Sequence, residues 1–99
     1  MARVNRIDRE AAEGLAVQAL GFLAAEPERL GRFLALSGLG PETLRAAAGD
    51  PRFLAGVLEY VAGDEPLLVA FAAQAGVAPQ AVERARALLS GQPWERDTP

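Results

Sequence analysis

The chain contains no cysteine and no histidine. Without cysteine it forms no disulfide, no thiolate nucleophile and no thiolate metal site. Without histidine it lacks the side chain that most often acts as a general base or binds a metal ion. Lysine is absent as well, since all ten basic residues are arginine. These absences remove the usual acid–base and nucleophilic groups, so we expect no enzyme and no cofactor.

Long apolar runs and an excess of positive charge are also missing. The longest apolar stretches, residues 15–25 and 67–73, are too short to cross a bilayer. Residues 1–10 lack the apolar core of a signal peptide, so we expect a cytoplasmic location. The formal net charge is −3. Nucleic acids and anionic membranes attract positively charged proteins, so this charge disfavours binding to either.

The chain is rich in apolar residues, at 51% of 99 residues with 23% charged, which is typical of a globular domain. A chain this short exposes much of its surface, so this fraction favours an apolar surface that contacts a partner protein or a second copy. The alternative is that much of the fraction is alanine, which covers helices without requiring a partner.

A shift of 38 residues aligns the chain with itself. The apolar residues and the helix-breaking residues coincide together, in the pairs Leu20–Leu58, Phe22–Tyr60, Leu30–Leu68, Phe33–Phe71, Gly38–Gly76 and Pro41–Pro79. This pattern predicts two copies of one helical unit, about residues 13–49 and 51–89, within a single domain over residues 1–91. Residues 92–99 are predicted to be an irregular tail.

Proline and glycine positions divide each unit into three helices. Proline is favoured at the first position of a helix, and glycine just after the last. No segment alternates apolar and polar residues as a strand does. We therefore predict an all-α fold, a compact bundle of five to six short helices that is an internal duplication of a three-helix unit. The first and fourth helices, the most apolar, should lie side by side at its centre.

Helical spacing also predicts which side chains face inward. In the second helix these are Leu30, Phe33, Leu34 and Leu36. We expect the core to bring together four large residues from both units, Phe22, Phe33, Leu58 and Phe71.

Two aromatic residues are candidates for contact with a partner, because exposed aromatic residues are typical of interfaces. Trp94 lies in a polar tail, and Tyr60 lies between the apolar and polar sides of its helix. The alternatives are that Trp94 covers an open end of the core and that Tyr60 belongs to the core, as its counterpart Phe22 does.

A helix-turn-helix spacing occurs once in each unit. Ala72, Gly76 and Val82 have the spacing typical of DNA-binding proteins, in which the second helix reads the DNA. The candidate residues for reading DNA are Gln80, Arg84 and Arg86. However, any tight corner between two helices needs a small residue, a glycine and a packing residue at this spacing. An acidic chain with so few hydrogen-bond donors is also a poor DNA binder.

Three acidic residues, Glu59, Asp64 and Glu65, lie close in sequence but not in a loop whose oxygens would converge on a metal ion. Asp64 and Glu65 have the positions of helix-capping and helix-dipole residues instead. We expect no metal site, and no catalytic role for Ser37, which has no histidine or cysteine partner in the chain.

The segments FLAAEPERLGRFLALSGLGPETLR, DPRFLAGVLEYVAGDEPLLVAF and PWERDTP resemble a known family, the small helical bacterial proteins of domain of unknown function 3572, found mainly in alphaproteobacteria. The resemblance covers about residues 14–99. It implies an all-helical, cytoplasmic bacterial protein, and it carries over no activity, cofactor or catalytic residue.

Together these observations favour a small non-enzymatic, adaptor-like module. It would bind a protein, or a second copy, through apolar surface between helices or through the Trp94 tail. The alternative function is a degenerate helix-turn-helix DNA-binding regulator that uses Gln80, Arg84 and Arg86.

Overall fold

The computed structural model describes residues 8–90, which form six α-helices and no strand. The helices are α1 (Arg9–Ala24), α2 (Pro27–Ser37), α3 (Pro41–Ala47), α4 (Pro51–Ala62), α5 (Glu65–Ala75) and α6 (Pro79–Ser90). The predicted all-α fold is confirmed. Within this part of the chain no helix has the length and apolarity needed to span a membrane.

Side chains and glycines fix the helix ends. Asp8, Asp50 and Asp64 precede α1, α4 and α5, and each carboxylate accepts a hydrogen bond from a backbone N–H of the first turn. Gly38 and Gly76 end α2 and α5 with φ angles of 76° and 74°. Glycine suits this left-handed conformation because it has no Cβ to clash. The same device therefore turns the chain from α2 to α3 and from α5 to α6.

The core lies between α1, α4 and α6, which pack on one another, while α2 packs on α1 and α5 on α4. One buried cluster contains Phe22, Phe33, Leu58 and Phe71, as expected from the sequence. Among the described residues no polar or charged side chain is buried, so apolar burial is the main source of stability.

The two predicted units agree in their helix limits but differ in their third helices. Both ends of α5 lie 38 positions after those of α2, and the start of α6 lies 38 positions after that of α3. However, α3 has seven residues and none of its described side chains is buried, whereas α6 has twelve residues and buries Val82, Ala85 and Leu89. The origin of the fold by duplication remains a prediction.

The prediction that Leu36 faces inward is wrong. Phe33 is buried, but Leu36 is 72% exposed. Leu36 lies about 60° around the helix from Phe33, on the side toward α4, given 100° per residue. Since α2 packs mainly on α1, this side is not covered.

Candidate functional site

A cavity of about 390 Å³ opens between α2 and α4. We call it the α2–α4 groove. Its volume lies within the range of ligand-binding clefts, about 300–1,000 Å³. Seven residues line it: Phe33, Leu36, Ser37, Phe53, Gly56, Glu59 and Tyr60.

Three aromatic rings form the floor of the groove. The centroid of the Phe33 ring lies 6.0 Å from that of Phe53 and 5.2 Å from that of Tyr60, and both pairs meet nearly edge-on. This geometry contributes about 0.5–1.5 kcal/mol per pair beyond the area buried. Phe33 is buried, while Phe53 and Tyr60 are half-buried and leave apolar ring surface toward the groove. The three rings of the floor thus pack on one another.

Gly56 lies in the middle of α4 and lines the groove. A Cβ added at Gly56 would have no heavy atom within 4 Å apart from its chain neighbours and the local helix backbone, and the residue does not have a positive φ. Glycine inside a helix is about 0.5–1 kcal/mol less favourable than alanine. Neither the backbone nor the packing of the described residues requires glycine here, yet its lack of a side chain leaves the groove open.

Glu59 gives one edge of the groove a negative charge. Its carboxylate lies 3.9 Å from the guanidinium of Arg86 in α6, and Arg86 Nε donates a hydrogen bond of 3.4 Å to Glu83. The Glu59 side chain is 62% exposed, and an exposed ion pair at this distance is weak. The carboxylate is therefore accessible to a basic group on a ligand.

A second, smaller cavity of about 200 Å³ lies between α1 and α5. We call it the α1–α5 groove. Each of its six lining residues lies 38 positions from a residue that lines the α2–α4 groove, in the pairs Gln18–Gly56, Gly21–Glu59, Phe22–Tyr60, Phe33–Phe71, Leu36–Gln74 and Ser37–Ala75. The two grooves thus occupy matching places in the two units.

The ring contacts match in the same way. The Phe22 and Phe71 centroids lie 5.5 Å apart in the α1–α5 groove, and Tyr60 and Phe33 are their counterparts at 5.2 Å. In addition, the Arg29 guanidinium lies 4.3 Å from the centroid of the Phe22 ring. Each groove therefore joins the first helix of one unit to the second helix of the other.

The aromatic residues predicted as partner contacts have different outcomes. Tyr60 lines the α2–α4 groove and also packs on Phe33, so it has features of both sequence interpretations. Trp94 lies outside the described residues. Phe53, Gly56 and Leu36 line the groove although the sequence did not predict them there; a glycine within the apolar stripe of α4 was the available signal.

The candidate DNA-reading residues are divided between two sides of α6. Gln80 and Arg84 are exposed and lie one turn apart on one face. Arg86 lies about 200° around the helix from Arg84 and contacts Glu59 and Glu83. The structure therefore brings together two of the three residues.

Two of the three acidic residues considered as metal ligands have other contacts, and the third, Glu65, lies in the first turn of α5. Asp64 caps α5 by accepting a hydrogen bond of 3.3 Å from the Leu67 backbone N–H, as predicted. Glu59 contacts Arg86 instead. Ser37 Oγ donates a hydrogen bond of 3.2 Å to the carbonyl of Leu34, which is a local helix-end contact.

Comparison with known proteins gives one match. A sequence model for the family described as "Protein of unknown function (DUF3572)" matches residues 9–92. The chain belongs to this family. The match agrees with the resemblance noted from the sequence, and it extends over all six helices. No curated protein and no solved structure matches the chain.

Proposed function

We propose that this DUF3572 protein is a non-enzymatic interaction module that binds a segment of a partner protein in the α2–α4 groove. The observation that supports this is an open groove with a packed aromatic floor, kept open by a glycine that the fold does not require. Binding energy at protein interfaces concentrates where a large side chain enters such a pocket.

The lining residues favour a partner of particular chemistry. The rings of Phe53 and Tyr60 and the exposed side chain of Leu36 suit a large apolar or aromatic side chain. The Glu59 carboxylate suits an arginine or lysine close to that side chain. The expected ligand is therefore a peptide segment with an aromatic anchor and a neighbouring basic residue.

The polar groups of the groove support a binding role rather than catalysis. Ser37 has a backbone carbonyl as its partner, and Glu59 is next to an arginine. The chain has no histidine, cysteine or lysine to activate a hydroxyl nucleophile.

The proposal is tested by capture from the native cell with matched variants of the full chain. Gly56→Leu fills the groove, whereas Gly31→Leu adds the same side chain to an exposed position of α2 with equally open surroundings. We expect a discrete protein that is retained by the wild type and by Gly31→Leu and lost with Gly56→Leu. Identical capture by all three chains would contradict the proposal.

A DNA-binding regulator is the second candidate, favoured by the exposed pair Gln80 and Arg84 after the left-handed corner at Gly76. Its weakness is that α6 packs against α4 and α1 and buries one side of the helix. Binding to duplex DNA at low salt that is lost on Gln80→Ala with Arg84→Ala would support this alternative. No binding at low salt would remove it.

A further inference from the structure

We infer that the C-terminal segment of the same chain, residues 91–99, occupies the α2–α4 groove through Trp94. The inference rests on the proposed function of this groove and adds an intramolecular occupant that a partner must displace. Three observations carry it: where α6 ends, what the segment contains, and what the groove offers.

The last described helix, α6, contacts the edge of the groove. Arg86 reaches Glu59 at the edge of the groove, and α6 ends at Ser90, four residues later. Four helical residues advance the chain by about 6 Å. From Ser90, an extended chain reaches position 94 within about 13–14 Å. Trp94 thus follows, by eight positions in the sequence, a residue that contacts the edge of the groove.

The segment has the chemistry that the groove favours. Trp94 is the one tryptophan of the chain and its largest apolar side chain, and Arg96 follows two residues later. An indole fits an aromatic floor, and a guanidinium pairs with a carboxylate such as that of Glu59. Arg96 is the one arginine within two residues of this tryptophan.

A short connection also favours occupation by the same chain. When a ligand is joined to its site by a short connection, its effective concentration there is in the millimolar range, about 10⁻³ M. Even a weak contact between the indole and the groove is then populated. A partner with the same chemistry competes with the segment, so removal of the Trp94 side chain should tighten partner binding.

The single tryptophan makes the test direct, because fluorescence excited at a wavelength that Tyr60 does not absorb reports on Trp94 alone. We expect emission that is blue-shifted, and acrylamide quenching that is several-fold weaker, relative to the free peptide GQPWERDTP. Gly56→Leu should return both values to those of the peptide. Gly31→Leu should leave them unchanged. Circular dichroism checks that each variant is folded. Gly56→Ala is a smaller change at the same position and should shift the emission and the quenching part of the way toward those of the peptide.

Three results would overturn the inference. Wild-type emission equal to that of the peptide would show Trp94 in water. Emission that depends on protein concentration would assign the groove to a second copy. Protection that survives Gly56→Leu would place Trp94 elsewhere. None of these results affects the capture experiment, in which loss of a partner on Gly56→Leu does not depend on Trp94.

Discussion

The two grooves occupy matching positions in the two units and yet differ in size and chemistry. Their ring pairs have similar separations, 5.5 Å and 5.2 Å, while their volumes are about 200 and 390 Å³. Gln18 in the α1–α5 groove corresponds to Gly56, and Gln74 corresponds to Leu36. A few lining residues therefore determine which groove is open and apolar.

Helix packing accounts for the rest of the difference in size between the two grooves. The backbones of α1 and α5 approach each other over more residues than those of α2 and α4. The α2–α4 side is held mainly by the Phe33, Phe53 and Tyr60 rings. Similar sequence units can thus form one junction with a smaller groove and one with a larger groove, and the larger one is the candidate binding site.

The largest expected effect compares the buried phenylalanines of the two grooves, Phe71 in the α1–α5 groove and Phe33 in the α2–α4 groove. Phe71→Ala should lower the free energy of unfolding by about 3–5 kcal/mol, as for other buried phenylalanines. Phe33→Ala should lower the free energy of unfolding by less, because the space left by the ring joins an open groove that water can enter. Chemical denaturation followed by circular dichroism measures both. An equal or larger loss for Phe33→Ala would contradict the difference in packing.

Much of this frame could be predicted from the sequence. Proline and glycine marked the helix ends. The spacing of the apolar stripe in α4 also indicates its buried side, where Leu54, Val57, Leu58 and Val61 are buried and Phe53 is half-buried. The position of Leu36 could not be predicted, because helical spacing gives the direction of a side chain but not whether a neighbouring helix covers it. The aligned repeat likewise gave no sign that α6 would enter the core while α3 would not.

The second prediction compares the N-terminal caps of α5 and α2, each of which forms a wall of one groove. Asp64 caps α5 with its carboxylate, whereas Glu26, its counterpart before α2, makes no capping hydrogen bond. Asp64→Ala should therefore destabilise the fold by about 1 kcal/mol. Glu26→Ala should have little effect. Thermal unfolding of both variants checks this, and equal losses would show that the cap is not the cause.

The smallest effect concerns the glycine in the open groove. Gly56→Ala should raise the free energy of unfolding by about 0.5–1 kcal/mol, because alanine is the better helix former and its methyl group would be in open space beside the helix. Gly31→Ala is the matched control in α2 and should give a similar gain. Destabilisation by Gly56→Ala alone would show that the fold itself needs glycine at this position.

Photo-crosslinking tests the central claim, that the α2–α4 groove is the binding site, most directly. A photoreactive residue replaces Leu36 in one full-length chain and its counterpart Gln74 in another, and both are irradiated in the native cell. We predict a discrete protein adduct at position 36, absent at position 74 and lost when Gly56→Leu is added. Equal adducts at both positions, or no protein adduct at position 36, would contradict the account.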